Sequence, residues 1–525
     1  MAKGHEPRGL KSPRTGLRSS PPGSPHGIVD TERTGRELDE NAVISAGQRR
    51  LRRTRPTLRS MSNLSLRDRV IDIEDSERDV ASGRALRKAA PRRALAQLVP
   101  SPRSATEILV EQNRNRVPEL VPLRFARMLT DPFSFYRGSA AVMAADLADG
   151  PSSGVQVLCS GDAHLSNFGI YAAPDRQLVF DLNDFDEAAV APAEWDVKRL
   201  VTSAIVGGRH AGYPEDAIRA LAGQAIIAYR DGLQTMLEMS VLDRYYLRFE
   251  PERYRNEVSG SLQKVITRTA QDARKRTSVR VFERIMRPDA DGGLQLREDP
   301  PVLQHLDLDL ETTLIESVQE YLDSVAADVA LVLSHFRITD MARRVVGVGS
   351  VGTRCYLVIL TGPAGEPLIL QVKEATASVL EQYGRVEQPA ALREAVRARG
   401  QGTRVVDCQR MLQAMSDVFL GTARGDGRDF YVRQFQDIEG SVETEGMPVD
   451  AFGDYVSACA LALARGHAQS ANASILRGYV GNGEKVSAAV LEWSYAYADK
   501  SLDDFHQLKA AARAGDIEVA DDPAR

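Results

Sequence analysis

The chain of 525 residues is 43% hydrophobic and 26% charged, an ordinary globular composition long enough for two or three domains. A net charge of −5 argues against a general nucleic-acid binder, and no apolar run approaches the roughly 18–20 residues that span a bilayer. Four scattered cysteines (Cys159, Cys355, Cys408, Cys459) form no C-x-x-C pair, which argues against a zinc site or disulfide framework and fits a reducing cytoplasm.

Residues 1–70 are rich in Arg, Ser, Pro and Gly. Fifteen basic and seven acidic side chains in Met1–Arg69 give +8, leaving −13 for the remainder. Low apolar content with excess charge predicts a disordered, solvated basic tail rather than a nucleic-acid or lipid contact. Its start, "MAKGHEPRGLKSPRTGLRSS", lacks the apolar stretch of a secretory signal. Residues 71–335 read as a helical region interrupted by two acidic segments. "FYRGSAAVMAADLA" (135–148) predicts one helix. A strand, "VQVLCS" (155–160), runs into "GDAHLSNFG", and a second, "QLVFDL" (177–182), runs into "NDFDEA". "PAEWDVKRLVTSAIVGG" then predicts a helix with Pro at its start and Gly past its end. Residues 209–335 read as mostly helical and polar, with "KVITRTAQDARKRT" (264–277) as a charged face.

Composition changes near Arg343, and residues 336–446 form a region rich in β-branched residues, Gly and Pro. "RRVVGVGSVGTRCYLVILTG", "EPLILQVKEA" and "DFYVRQF" (429–435) predict strands and turns. Helices return over 447–525, where Phe452, Tyr455, Val456, Cys459 and Leu463 share one face.

Two acidic clusters carry the chemistry. Asp162 and Asn167 follow the first strand in a D-x-x-x-x-N spacing, and Asp184, Asp186 and Glu187 follow the second. Phosphoryl transfer needs a carboxylate that takes the proton of an attacking hydroxyl, plus hard oxygen ligands that hold Mg²⁺ against phosphates. Asp162 suits the first role; Asn167 and Asp184 suit the second. "GVGSVG" (347–352) is a G-x-G-x-x-G, but the β-rich "TRCYLVIL" follows it, so the glycines cap a hairpin rather than open a dinucleotide-binding helix. A lysine on the next strand, Lys373, shares a face with Ile369 and Gln371. With only ten lysines against 57 arginines, Lys here is not a casual choice. Glu381 is the first candidate for its carboxylate partner, with Glu374 and Glu387 as rivals. Asp196 either braces the acidic loop by accepting backbone hydrogen bonds or serves as a helix N-terminal charge. Arg137 either contacts phosphate or pairs with an acidic neighbour, the structural ion pair being the expected role, and His164 is expected as a polar turn residue rather than a metal ligand.

At "FYRG", "GDAHLSNFG", "FDLNDFDEA", "EWDVKRL", "VVGVGSVGTRCY" and "LQVKEA" the sequence resembles the bacterial family called domain of unknown function 2252, over most of the chain after about residue 80. That family is similar to aminoglycoside phosphotransferases and protein kinases. The resemblance implies an α+β, two-lobed, protein-kinase-like fold. Asp162, Asn167, Asp184 and Asp196 would stand at catalytic-lobe positions, and Gly347, Gly349, Gly352 and Lys373 at nucleotide-lobe positions, with ATP and Mg²⁺ as cofactors. Two departures stand out. Ser160 occupies a place where such enzymes carry His. The glycine hairpin and lysine also follow the catalytic loop by about 180 residues instead of preceding it, which implies circular permutation. The expected activity is phosphoryl transfer to a small-molecule or protein hydroxyl. The alternatives are AMP transfer and a nucleotide-binding pseudokinase without catalysis. A metallophosphoesterase, suggested by "GDAH", lacks the clustered histidines it needs.

Overall fold

The computed structural model describes residues 73–520 except 255–257, 289–293, 307, 346 and 436–438. The expected disordered tail of residues 1–70 lies outside the described residues. Ile71–Arg525 forms one compact unit of mixed α and β structure.

In chain order, the elements that shape the site begin with two helices, α1 (Val121–Met128) and α2 (Pro132–Gly138). Asp131 caps α2, its Oδ1 accepting from the Phe133 and Ser134 amides at 2.8 and 2.9 Å, with Pro132 at the first helical position. The single helix expected over 135–148 is instead divided. Ser139 leaves helical geometry (φ −112°, ψ 29°) and donates its hydroxyl to Tyr136 O, so α2 ends directly after Arg137 and Gly138. Strands β1 (Gln156–Cys159), β2 (Phe168–Ala172), β3 (Leu178–Leu182) and β4 (Ala189–Pro192) follow. β2 and β3 form an antiparallel hairpin with Phe168 opposite Leu182, and β1 pairs antiparallel with β4.

Helix α3 (Ala193–His210) runs through Gly207 and Gly208 rather than stopping before them. A Cβ on Gly208 would sit 3.0 Å from Ile218 Cγ1, so the glycine serves close packing against α4 (Glu215–Glu238), not termination. Next come α5 (Ser278–Ile285) and the short strands β5 (Met286–Pro288), β6 (Leu294–Leu296) and β7 (Leu303–His305).

β8 (Arg337–Arg344), β9 (Cys355–Thr361), β10 (Pro367–Glu374), β11 (Gly421–Gly425) and β12 (Arg428–Gln434) join β7 in an antiparallel sheet of order 11-12-10-9-8-7. Each face of this sheet has its own apolar core. One packs Leu314, Tyr321 and Leu333 on Tyr356, Leu370 and Val432; the other packs Val281 and Ile285 of α5 on Leu357, Ile359 and Ile369. Residues 303–333 therefore pack with the sheet, ahead of the composition change at Arg343.

Helix α6 (Gln401–Leu412) lies between β10 and β11 in sequence. After β12 the chain adds β13 (Glu439–Ser441) to the edge of the β2–β3 hairpin. It then enters α7 (Val449–Ala468), whose Tyr455, Val456, Cys459 and Leu463 join the core formed around α3 and α4.

Candidate functional site

One cavity of about 150 Å³ gathers Asp162, His164, Asn167, Asp184, Asp186, Glu187, Arg137, Gly347 and Gly349. Stretches of sequence nearly 200 residues apart thus share one wall-to-wall space.

The loop bearing Asp162 and Asn167 is fixed from several sides. Gly161 has φ 80°, and a Cβ there would overlap Glu187 O, so only glycine lets the two acidic segments run this close. Asp196, buried in the first turn of α3, accepts from the Ser160 amide at 2.6 Å and the Gly161 amide at 3.0 Å. Its Oδ2 also lies 3.2 Å from His467 Nε2, while His467 Nδ1 is 2.7 Å from Tyr229 Oη. Tyr455 of α7 donates to Leu165 O at 2.7 Å. Among the described residues, Cys159, Asp196 and His467 are a buried group with metal-ligand atoms close together. The hydrogen bonds just described already engage Asp196 and His467.

Arg199, one turn beyond Asp196 on α3, places Nε 2.9 Å and Nη2 2.8 Å from Asp162 Oδ1, and its Nη2 also reaches Tyr136 O at 2.7 Å. Burial nevertheless pushes the Asp162 carboxyl up to about 6, against the pull of Arg199. His164 is buried rather than solvent-facing in its turn, and burial, with Arg137 and Arg199 nearby, holds its imidazole neutral.

Asn167 and Asp184 sit at the open end of the β2–β3 hairpin, where the Asn183 amide donates to Asn167 O at 2.9 Å. Asn167 turns its side-chain nitrogen to Asp162 O (2.8 Å), leaving the amide oxygen for another ligand. Burial, then the neighbouring Asp186, raises the Asp184 carboxyl above its usual range. Glu187 rises to about 7, chiefly through burial, although it accepts from the Val379 amide at 2.7 Å.

The "GVGSVG" segment connects β8 to β9 as a hairpin loop, and Lys373 lies on β10 between Cys355 of β9 and Tyr431 of β12. Lys373 donates to Ser350 Oγ at 3.2 Å and forms an ion pair with Asp186 Oδ2; Tyr431 Oη donates to Asp186 Oδ1 at 2.7 Å. Burial opposes the ammonium charge, but Asp186 outweighs it and holds Lys373 protonated well above its ordinary range.

The expected glutamate partner is therefore replaced by Asp186. Glu381 is exposed on a four-residue helix, Glu374 pairs with Arg354 and Arg428, and Glu387 pairs with Arg393. Arg137 also departs from expectation, since it forms no ion pair among the described residues.

Arg404 of α6 joins the site from outside both acidic segments and the glycine loop. Its guanidinium donates to Ala188 O (2.6 Å), Asp186 O (2.8 Å) and Thr376 O (2.7 Å), stapling the acidic loop to the end of β10. No pattern in "QGTRVVDC" announces that role. Arg199 was more accessible: in "EWDVKRL" it follows Asp196 by three residues and so shares its helix face.

A family model described as "Uncharacterized protein conserved in bacteria (DUF2252)" matches residues 116–511, about three quarters of the chain. No curated protein and no solved structure matches. Among the described residues, no helix is long and apolar enough to cross a membrane.

Proposed function

We propose that this chain, which belongs to the DUF2252 family of uncharacterized proteins conserved in bacteria, is an ATP- and Mg²⁺-dependent phosphotransferase acting on a hydroxyl acceptor. The observation that carries the reading is the shared cavity. It is lined by Asp162, Asn167 and Asp184 on one side and the glycine loop on the other, with Lys373 tied to both through Asp186 and Ser350.

Each residue has a role that follows from its surroundings. Asp162, steadied by Arg199, takes the proton of the acceptor hydroxyl. Asn167 and Asp184 offer hard oxygen donors that suit Mg²⁺, which when bound supplies charge neutralisation at the phosphates. Lys373 exchanges its pairing with Asp186 for phosphate oxygens. Gly349 packs on the Arg137–Gly138 backbone, where an added Cβ would come within 3.4 Å of Arg137 O. The cavity of about 150 Å³ is below the roughly 300–1,000 Å³ of small-molecule sites, so a nucleotide enters as this loop lifts.

A kinase-like two-lobed fold in permuted order draws support from two features. The glycine hairpin, the lysine strand and β12–β11 are consecutive neighbours in one antiparallel sheet. Helix α7, which follows that sheet in sequence, returns to hold the Asp162 loop through Tyr455 and His467.

The test is a thermal-shift titration with ATP, with and without Mg²⁺, on the wild type and Lys373→Met. Ligand at about a hundred times its Kd contributes about 2.7 kcal/mol. The wild type is expected to gain that increment and the variant to lose it relative to its own baseline. ATP labelled on the γ- or α-phosphate then separates phosphoryl from AMP transfer. Equal stabilisation of both proteins by ATP and Mg²⁺ would detach Lys373 from the nucleotide.

The pH dependence has a definite sign. Asp162 acts as a base only when ionised, and its carboxyl sits at about 6. Turnover per ATP bound is expected to fall about tenfold for each pH unit below that value and to level off above it. A profile flat through this range would remove Asp162 from the base role.

A further inference from the structure

Three arginines line the same cavity as the acidic residues, and none forms an ion pair with a carboxylate among the described residues. Arg124 of α1 is fully buried, and its guanidinium meets only neutral acceptors: Asn113 Oδ1 at 2.6 Å, Gln112 Oε1 at 2.7 Å and Gly138 O at 3.2 Å. Arg116 donates to Val351 O at 2.5 Å and Thr353 Oγ1 at 3.2 Å, again both neutral. Arg137, at the end of α2, makes no hydrogen bond or ion pair among the described residues. In each of the three the Nε is buried without a partner. All three line the cavity that holds Asp162 and Asp184.

Such an arrangement is costly as a purely structural device. A guanidinium carries five donors, and taking its charge out of water without a counter-ion is unfavourable. Burial indeed lowers the proton affinity of all three, Arg116 to about 10. The nearby carboxylates Asp162 and Asp131 oppose that shift only in part, and neither pairs with Arg137. Asp131 is engaged in capping α2, and Asp162 Oδ1 is taken by Arg199. A favourable interaction with the helix C-terminus accounts for an arginine in the last turn of α2. It does not account for a buried, unpartnered Nε on a residue that lines a cavity together with two more arginines.

We propose that Arg137, backed by Arg116 and Arg124, forms an oxyanion subsite that takes a phosphate group. That the anion is a phosphate, rather than another oxyanion, rests on the phosphotransfer reading. The guanidinium fork matches two phosphate oxygens. Arg124 holds Gly138 O and so fixes the backbone from which Arg137 projects, while Arg116 holds the glycine loop through Val351 O. Two sources would present the same chemistry here: the terminal phosphate of ATP beneath the glycine loop, or a phosphate carried by the acceptor.

Calorimetric titration of the full chain separates the sources. The probes are ATP·Mg, ADP·Mg, and inorganic phosphate added over saturating ADP·Mg or alone. The proteins are wild type, Arg137→Gln and Arg137→Lys. Losing one charged hydrogen-bonded contact is expected to weaken binding about 10- to 100-fold. If ATP·Mg weakens in Arg137→Gln while ADP·Mg does not, the subsite holds the terminal phosphate. If both nucleotides bind unchanged but inorganic phosphate over ADP·Mg weakens, the subsite serves the acceptor.

Wild-type affinities for all probes in both variants, or no phosphate or ATP binding by the wild type, overturn the subsite. Should nucleotides fail to bind while inorganic phosphate binds alone in an Arg137-dependent way, the phosphotransferase reading falls and the subsite stands. Arg137→Lys keeps the charge without the fork and carries the same comparison if the glutamine variant does not fold.

Discussion

Asp184→Asn is expected to lower Mg²⁺-dependent turnover at least about a hundredfold while leaving the protein folded, with a melting temperature equal to or above that of the wild type. The two halves of this result share one cause. Asp184 and Asp186 face each other's charge in an enclosed cavity, and Lys373 is committed to Asp186. Asp184 accepts only the Asp186 amide, at 3.1 Å, and has no ion-pair partner among the described residues, so burial first and the Asp186 charge second raise its proton affinity.

The sign follows from linkage. A carboxyl whose folded value is raised costs stability at every pH above its ordinary range, and that cost disappears as both states become protonated. The advantage of Asp184→Asn is thus expected at pH 7 and should vanish as pH falls toward about 4. Added Mg²⁺ should stabilise the wild type and not the variant. Melting curves at two pH values with and without Mg²⁺, beside a turnover assay, read all of this. A variant that melts lower than wild type at pH 7, or turns over normally, rules out Asp184 as the metal carboxylate.

The sequence disclosed the parts of this site that depend on local pattern. The strand before each acidic cluster, the hairpin character of "GVGSVG" and the side of β10 that Lys373 occupies all follow from alternation and glycine placement, which are short-range signals. What lay beyond it depends on contacts between distant segments. Lys373 and Asp186 are 187 positions apart, and nothing local distinguishes Asp186 from Glu381 as a partner. The arginines that set the loops behave likewise, because Arg404 and Arg124 act on backbone carbonyls and amide side chains brought near only by folding.

Gly207 and Gly208 look like a helix stop, yet the tertiary contact with Ile218 decides their place. The division of the 135–148 segment at Ser139 is equally invisible to propensity, since Gly138 and Ser139 are tolerated in a helix. That break is nonetheless what sets Arg137 at the cavity wall.

Asp196→Ala is expected to lose about 3–5 kcal/mol of unfolding free energy together with turnover. Asp196 is buried and holds the amides of Ser160 and Gly161, the two residues directly before Asp162. Alanine leaves both N–H groups enclosed without acceptors, each costing about 1–3 kcal/mol, and removes the acceptor 3.2 Å from His467 Nε2. The damage should be local in kind as well as large. Hydrogen exchange at Ser160 and Gly161 should accelerate before exchange in the β8–β10 strands does, because the sheet has separate apolar cores.

Asp196→Asn keeps one acceptor oxygen and should lose roughly half as much, which separates lost hydrogen bonding from lost charge. A charge that acted only through the α3 dipole would be worth about 0.3–1 kcal/mol near the surface. Denaturant unfolding therefore discriminates between the two accounts of Asp196. A loss in that smaller range, with Asp162-dependent turnover intact, would reduce Asp196 to a helix charge and leave the base loop to its other contacts, among them Arg199, Tyr455 and Ser203.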